Sequence, residues 1–239
     1  MISILLPTRN RPKNVKKLLE NIINTVDKIN NIEICFYIDN DDNSNFQVLS
    51  EMSSKLNIQA FQGERIKGSQ SYNELYKNSS GDIIMFCADD VAFRTNKWDK
   101  LVEYTFQEYP DKIMFVYGQD GIQNEKIGTH GFIHKNWVET VGYVLPPYLA
   151  SAYTDSWITD LSEMVKRRKY LPELIIEHLH PMVNKSPNDN TYIERFEMPG
   201  HLQSLYDSLL PKRIEDANKL NEFIKNYLDN TPTNLSPSL

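Results

Sequence analysis

The chain is poor in cysteine, poor in glycine, and has no long apolar run. Its two cysteines, Cys35 and Cys87, both sit inside short apolar stretches. That excludes a disulfide framework and a cysteine zinc site, and predicts two buried thiols in a reducing compartment. No segment approaches the about 18 to 20 consecutive apolar residues of a membrane-spanning helix. Met1 to Arg9 has no basic region ahead of its apolar stretch, so no signal peptide and a cytoplasmic location are expected. Basic residues are also in deficit. Lys and Arg total 26 against 32 Asp and Glu, for a net charge of −6, which excludes a general polyanion-binding surface. Two local basic clusters, Arg9-Arg11-Lys13-Lys16-Lys17 and Lys166-Arg167-Arg168-Lys169, are predicted to be solvated helix faces. With only nine glycines in 239 residues, each loop glycine carries information.

What remains is 40% hydrophobic residues, enough for one ordinary core that needs no disulfide. The first half alternates strand and helix patterns. Ile2 to Leu6 reads as a strand buried on both faces, followed by a loop from Pro7 to Pro12. Val15, Leu18, Leu19, Ile22, Ile23 and Val26 share one helical face. Residues 32 to 39 alternate as a strand that runs into Asn40-Asp41-Asp42-Asn43. Further helices are predicted from Phe46 to Leu56, Gly68 to Ser79 and Trp98 to Tyr109, and further strands at 58–61, 83–88 and 113–117. Strands and helices alternating at this pitch imply βαβ units and a mainly parallel sheet. The second half is less regular. It offers helices at 136–141 and 151–169, a strand at 174–181, a long polar loop at 182–200, and helix to Asn230 broken at Pro211.

In an open α/β sheet, ligands bind beyond the carboxyl ends of the strands. The predicted strands end in Thr8-Arg9-Asn10-Arg11, in Asp39-Asn40-Asp41-Asp42, in Asp89-Asp90, and in His178-Leu179-His180. Two carboxylates directly after a buried strand either cap the next helix or hold a divalent cation bridging a diphosphate. His178 and His180, two apart in a strand, face the same side and could join Asp90 on one ion, or could be satisfied by local hydrogen bonds. Imidazole beside carboxylate favours Mn²⁺ over Mg²⁺. Asp155 starts a helix after a Pro-rich loop and is either a first-turn residue or a general base.

These residues in this order resemble the family 2-like glycosyltransferases of the GT-A fold. The shared features are Pro7-Thr8-Arg9-Asn10-Arg11-Pro12 after the first strand, Asp39 after the second, Lys67-Gly68-Ser69-Gln70-Ser71-Tyr72-Asn73, and Gly81 to Phe86. An acidic DxD-like signature, a downstream Asp before a helix, and a late His complete the set. The resemblance implies an α/β fold of GT-A type, a Rossmann-like, mainly parallel sheet flanked by helices with a C-terminal helical extension. It divides the chain into a transferase domain at 1–200, the extension at 201–230 and a tail at 231–239.

The resemblance also implies roles. Pro7, Thr8, Arg9, Arg11, Asp39, Lys67, Gly68, Ser71, Asn73 and Asp89 would bind a nucleotide-sugar, with Thr8, Arg9 and Asp39 around the base and ribose. Asp90, His178 and His180 would hold Mn²⁺ (or Mg²⁺). Asp155 would be the catalytic base of an inverting transfer from a nucleotide-diphosphate donor, UDP-sugar by family habit, to a hydroxyl acceptor such as a glycan, a protein or a modified nucleic acid. Two positions depart from the family pattern. Thr154 stands where a Glu precedes the base, and Ala88 stands where the first signature acid falls. His130 and Lys135 are further diphosphate contacts or plain surface residues, Tyr153 and Trp157 sugar-stacking or core residues. The 182–200 segment would order over the donor. Two other functions fit parts of the pattern: a nucleotidyltransferase, which usually opens with a Gly-rich phosphate loop absent here, and a non-catalytic nucleotide-sugar or carbohydrate-binding module, which would not need Asp155.

Overall fold

The computed structural model describes residues 1–66, 68–150, 152–186 and 202–230. Lys67, most of the predicted 182–200 loop, and the 231–239 tail lie outside them. The strands are β1 (Ile2–Thr8), β2 (Ile32–Asp39), β3 (Asn57–Gly63), β4 (Ile83–Phe86), β5 (Val91–Phe93), β6 (Phe115–Gln119), β7 (Gly131–His134) and β8 (Arg168–His178). The helices are α1 (Pro12–Thr25), α2 (Phe46–Met52), α3 (Ser69–Tyr76), α4 (Trp98–Thr105), α5 (Lys135–Val141), α6 (Thr154–Met164), α7 (Leu202–Ser208) and α8 (Leu210–Asn230).

The strands form one sheet in the order β3-β2-β1-β4-β7-β6-β8-β5. The chain leaves β1 toward β2 and β3, then returns to its other side with β4, so the crevice between β1 and β4 is a topological switch point. The sequence opens that crevice. β1 pairs with β2 as far as Thr8, but its ladder with β4 stops at Leu5 and Phe86. Pro7 has no N–H to extend it, and it is tolerated in the strand because β4 ends before reaching it.

β7 is the antiparallel exception, running against both β4 and β6. Its amino end therefore lies at the rim where its neighbours have their carboxyl ends. β8 pairs parallel to β6 up to Gly118 and Leu171, then shifts register so that Gln119 meets Ile175. Residues 172–174, which include Pro172, bulge out, and the rest of β8 pairs antiparallel with β5. Gly118 permits the bulge, because a Cβ there would lie 1.9 Å from the Leu174 carbonyl oxygen. Gly118→Ala is therefore expected to cost about 1 to 3 kcal/mol of stability, measured as a lower urea midpoint. It should also displace His178, whose place depends on that bulge.

Helices cover both faces. α1, α2 and α4 pack on one face around Leu18, Leu19, Ile22, Met52 and Trp98, all buried. α3, α5, α6, α7 and α8 cover the other around Leu75, Trp137, Trp157, Tyr206 and Leu220. Cys35 and Cys87 are buried free thiols, as expected. No helix among the described residues is long and apolar enough to cross a membrane.

The strand expected at 174–181 is β8, Arg168–His178, which leaves His180 beyond its end, and β1 runs on through Pro7 to Thr8. Three further expectations change. The helix break near the C-terminus falls at Leu209. Pro211 lies in the first turn of α8, where a missing N–H costs nothing. The Lys166–Lys169 cluster is no helix face, since it leads into β8. There Arg167 lies over the Tyr109 ring at 4.2 Å, and Arg168 Nε donates to the Tyr117 hydroxyl at 2.7 Å. The early basic cluster divides, with Lys13, Lys16 and Lys17 on α1 and both arginines turned to the β1 crevice.

Candidate active site

A cavity of about 510 Å³ opens at the carboxyl rim, a size typical of small-molecule sites. Pro7, Thr8, Arg9, Arg11, Asp39, Gly68, Ser71, Asp89, Asp90, Asp155, His178 and His180 all line it. These are the predicted site residues, less Lys67, which is not described, and Asn73, which does not line the cavity. Asn73 Oδ1 accepts the N–H groups of Val144 (2.8 Å) and Leu145 (3.2 Å), and its amide donates to the Leu145 carbonyl at 2.9 Å. It fastens the 144–149 loop to α3.

At one end, the ends of β1 and β2 meet. Arg9 Nη1 donates to Asp39 Oδ2 at 2.8 Å, and Arg9 also forks onto the Asp41 carboxylate. Its bond to Asp41, then that to Asp39, outweigh its partial burial and raise its pKa. Arg65 Nε lies 3.8 Å from the same Asp39 oxygen. Tyr37, Arg65 and Ile66 complete this end. The α3 N-terminus enters through Gly68, whose φ of 59° and ψ of −129° suits glycine. Its Ser69 N–H donates to the Ala150 carbonyl.

In the middle lies Ala88-Asp89-Asp90. Asp89 is 6% exposed and ties β4 to β1, accepting from Thr8 Oγ1 at 2.7 Å and from Arg11 Nη1 at 2.9 Å. Burial pushes its carboxyl up to about 6 against the pull of Arg11. Asp90 faces His178, with Oδ2 to Nε2 at 3.5 Å. The backbone fixes that pair: His178 N–H donates to the Asp120 carbonyl at 2.9 Å, and Leu179 N–H to the Asp90 carbonyl at 2.7 Å.

Asp90, His130 and His178 each offer one ligand atom within 4.8 Å of the others. Donors about 2.0 to 2.1 Å from a cation stand about 3 to 4 Å apart around an octahedron, so a small closure fits these three to one ion. His130 comes from the amino end of antiparallel β7 and is 9% exposed, so it is no surface residue. His180 lines the same cavity, with its ring centre 5.0 Å from that of His178. Its Nδ1 accepts the Met182 N–H at 3.1 Å. In neutral imidazole, an accepting Nδ1 leaves the proton on Nε2.

Asp120 was not among the predicted residues. Its Oδ1 accepts three successive N–H groups, from Ile122, Gln123 and Asn124, each at 2.8 Å, and its Oδ2 accepts Thr129 Oγ1 at 2.9 Å. It folds the 120–130 loop that delivers His130. Its only sequence signal is an Asp directly after a strand. From α6, Thr154 and Asp155 line the same cavity. Asp155 Oδ1 accepts the Ser156 N–H at 2.8 Å, which orients the carboxylate. Trp157 is fully buried and belongs to the core. Lys135 pairs with Asp82 and is not part of the cavity lining.

A Haemophilus influenzae protein described as an uncharacterized glycosyltransferase is 30% identical over 118 residues, 49% of this chain and 38% of that protein. This chain thus spans well under half the length of that curated relative. S. aureus TarS superposes with a TM-score of 0.64 at 14% identity, covering 100% of this chain and 46% of TarS. The mannosyltransferase PcManGT from Pyrobaculum calidifontis, in complex with GDP-Man and Mn²⁺, gives 0.66 at 12% identity, covering 98% of this chain and 76% of that one. TarS 1–349 in complex with UDP-GlcNAc gives 0.60 at 16% identity, covering 98% and 74%. At such identities the likeness is one of fold, and the fold is that of GT-A glycosyltransferases. The family model for glycosyl transferase family 2 matches residues 3–148, more than half of the chain, and this protein therefore belongs to glycosyl transferase family 2.

Proposed function

We propose that this protein is a metal-dependent inverting glycosyltransferase that moves a sugar from a nucleoside-diphosphate donor, UDP-linked by family preference, to a hydroxyl of a glycan acceptor. One observation carries the reading. A single cavity is lined by a polar group at Thr8, Arg9 and Asp39, a carboxylate–imidazole cluster at Asp90, His130 and His178, and a carboxylate on a helix start at Asp155.

Asp39 and Arg65 would bind the base and ribose at the end of β2. Asp90, His130 and His178 would hold Mn²⁺, which suits a mixed nitrogen and oxygen donor set. Bound there, the cation neutralises the negative charge that gathers on the leaving diphosphate. His180 Nε2–H would donate to the same diphosphate. Asp89 holds the end of β4 to β1 through Thr8 and Arg11, which keeps Asp90 aimed into the cavity. Asp155 would take the proton of the acceptor hydroxyl as that oxygen attacks the anomeric carbon from the face opposite the diphosphate, inverting its configuration.

The test is a screen of UDP-, GDP-, dTDP- and ADP-sugars with a panel of glycan acceptors, read as release of the nucleoside diphosphate. Release from one donor class with Mn²⁺, lost with a chelator, is expected. No release from any donor under either condition would overturn the proposal.

A further inference from the structure

The backbone is strained two residues before Asp155. Tyr153 holds φ 64° and ψ 9°, a left-handed conformation that a bulky aromatic residue keeps only when its surroundings enforce it. Its carbonyl accepts the Trp157 N–H at 2.9 Å, the first bond of α6. The Tyr153 conformation thus sets the angle at which α6 leaves its loop, and with it where Asp155 enters the cavity.

The C-terminal helices pack against Tyr153. Tyr206 of α7 stacks on Tyr153, with ring centres 5.1 Å apart and planes 30° from parallel. Tyr206 is itself held on several sides. Its hydroxyl donates to Asp160, further along α6. Arg213 of α8 lies 3.9 Å over its ring and donates from Nη1 to its carbonyl oxygen at 2.8 Å. Arg213 is 4% exposed, lies 5.1 Å over Trp157, and has its Nε 3.5 Å from Asp160 Oδ2. Burying a guanidinium is costly, and breaking one side of such a cluster is more so, so it fixes geometry tightly. Every contact converges on the first turns of α6, and none of these side chains lines the cavity.

We infer that Tyr206 and Arg213 are positioning residues for the transfer: a clamp from α7 and α8 that holds strained Tyr153 and so places Asp155. The inference rests on the proposed role of Asp155 as base. It gives the helices after residue 201 a part in turnover without contact to donor or acceptor.

The test compares full-length Tyr206→Leu, Tyr206→Phe, Asp155→Asn and the Asp155→Asn/Tyr206→Leu double variant. Turnover uses the sugar nucleotide found in the screen, binding uses UDP with Mn²⁺, and hydrogen exchange is followed over residues 153–157. Tyr206→Leu removes the stack. A displacement of the base by about 1 Å should lower kcat about 10²-fold, leaving nucleotide affinity unchanged and speeding exchange at 153–157. Tyr206→Phe keeps the ring between Tyr153 and Arg213, and should restore most of that loss. The double variant should be no slower than Asp155→Asn alone, since both act on one group. Unchanged kcat in Tyr206→Leu, a kcat loss matched by an equal loss of nucleotide affinity, or multiplied losses in the double variant would overturn the clamp. Should Asp155→Asn itself retain full turnover, or the screen give none, the base assignment falls. The exchange data then judge the clamp alone, and unaltered exchange in Tyr206→Leu overturns it.

Discussion

Turnover in Asp155→Asn should fall about 10²- to 10⁴-fold, the usual contribution of a positioned general base, with affinity for nucleotide and Mn²⁺ retained. The substitution is nearly isosteric. The amide oxygen can still accept the Ser156 N–H that orients the carboxylate, so α6 keeps its first turn. What is lost is basicity at a residue for which no nucleotide contact is proposed. A steady-state assay paired with calorimetry of nucleotide binding separates the two effects. Unchanged turnover would remove Asp155 as the base.

The second large effect concerns the donor cluster. Asp90→Ala, His130→Ala and His178→Ala should each abolish the Mn²⁺ dependence of nucleotide binding and lower kcat/KM by about 10²- to 10³-fold. That is the rate equivalent of about 3 to 4 kcal/mol of charge stabilisation at the leaving diphosphate. His180→Ala should keep its Mn²⁺ dependence, because its Nδ1 is committed to the Met182 N–H and its Nε2 carries the proton. The contrast is measured by titrating nucleotide with and without Mn²⁺ in each variant. Loss of metal dependence in His180→Ala, and its retention in His130→Ala, would exchange the roles of the two histidines.

Why the sequence marks His130 as a diphosphate contact or a surface residue, and not as a metal ligand, follows from topology. β7 is four residues long and β5 three, too short for either period to register. Without β7 nothing places residue 130 beside Asp90, because it is the antiparallel strand that brings its amino end to the rim. Strands that read as continuous apolar runs are legible whatever their length: Ile2 to Leu6 and Ile83 to Phe86 stand out directly. Their ends then located Thr8, Asp39, Asp89 and Asp90 by rule.

Alternation misleads where burial is two-sided. Glu33 falls on the polar phase of β2, yet it is fully buried and accepts from Ser3, Ser80 and Gln59. Burial alone would raise its pKa, but the bonds from Ser3 and Ser80 prevail and hold it below the ordinary value. Ser3 and Ser80 carry no sequence mark of that partnership, because it spans two different strand connections. Asn73 is a second case in which a partner distant in sequence decides the role. Its amide is used by the 144–149 loop and does not line the cavity.

The central claim is that this cavity binds a nucleoside diphosphate through a divalent cation, and thermal unfolding with UDP or GDP, with and without Mn²⁺, tests it most directly. A ligand at about 100 times its Kd adds about 2.7 kcal/mol of stability, which for a chain of this size is about 5 to 10 °C in Tm. The account predicts a rise of that order with one nucleotide and Mn²⁺ together, and little with either alone. An unmoved Tm with every nucleoside diphosphate and Mn²⁺ would contradict it.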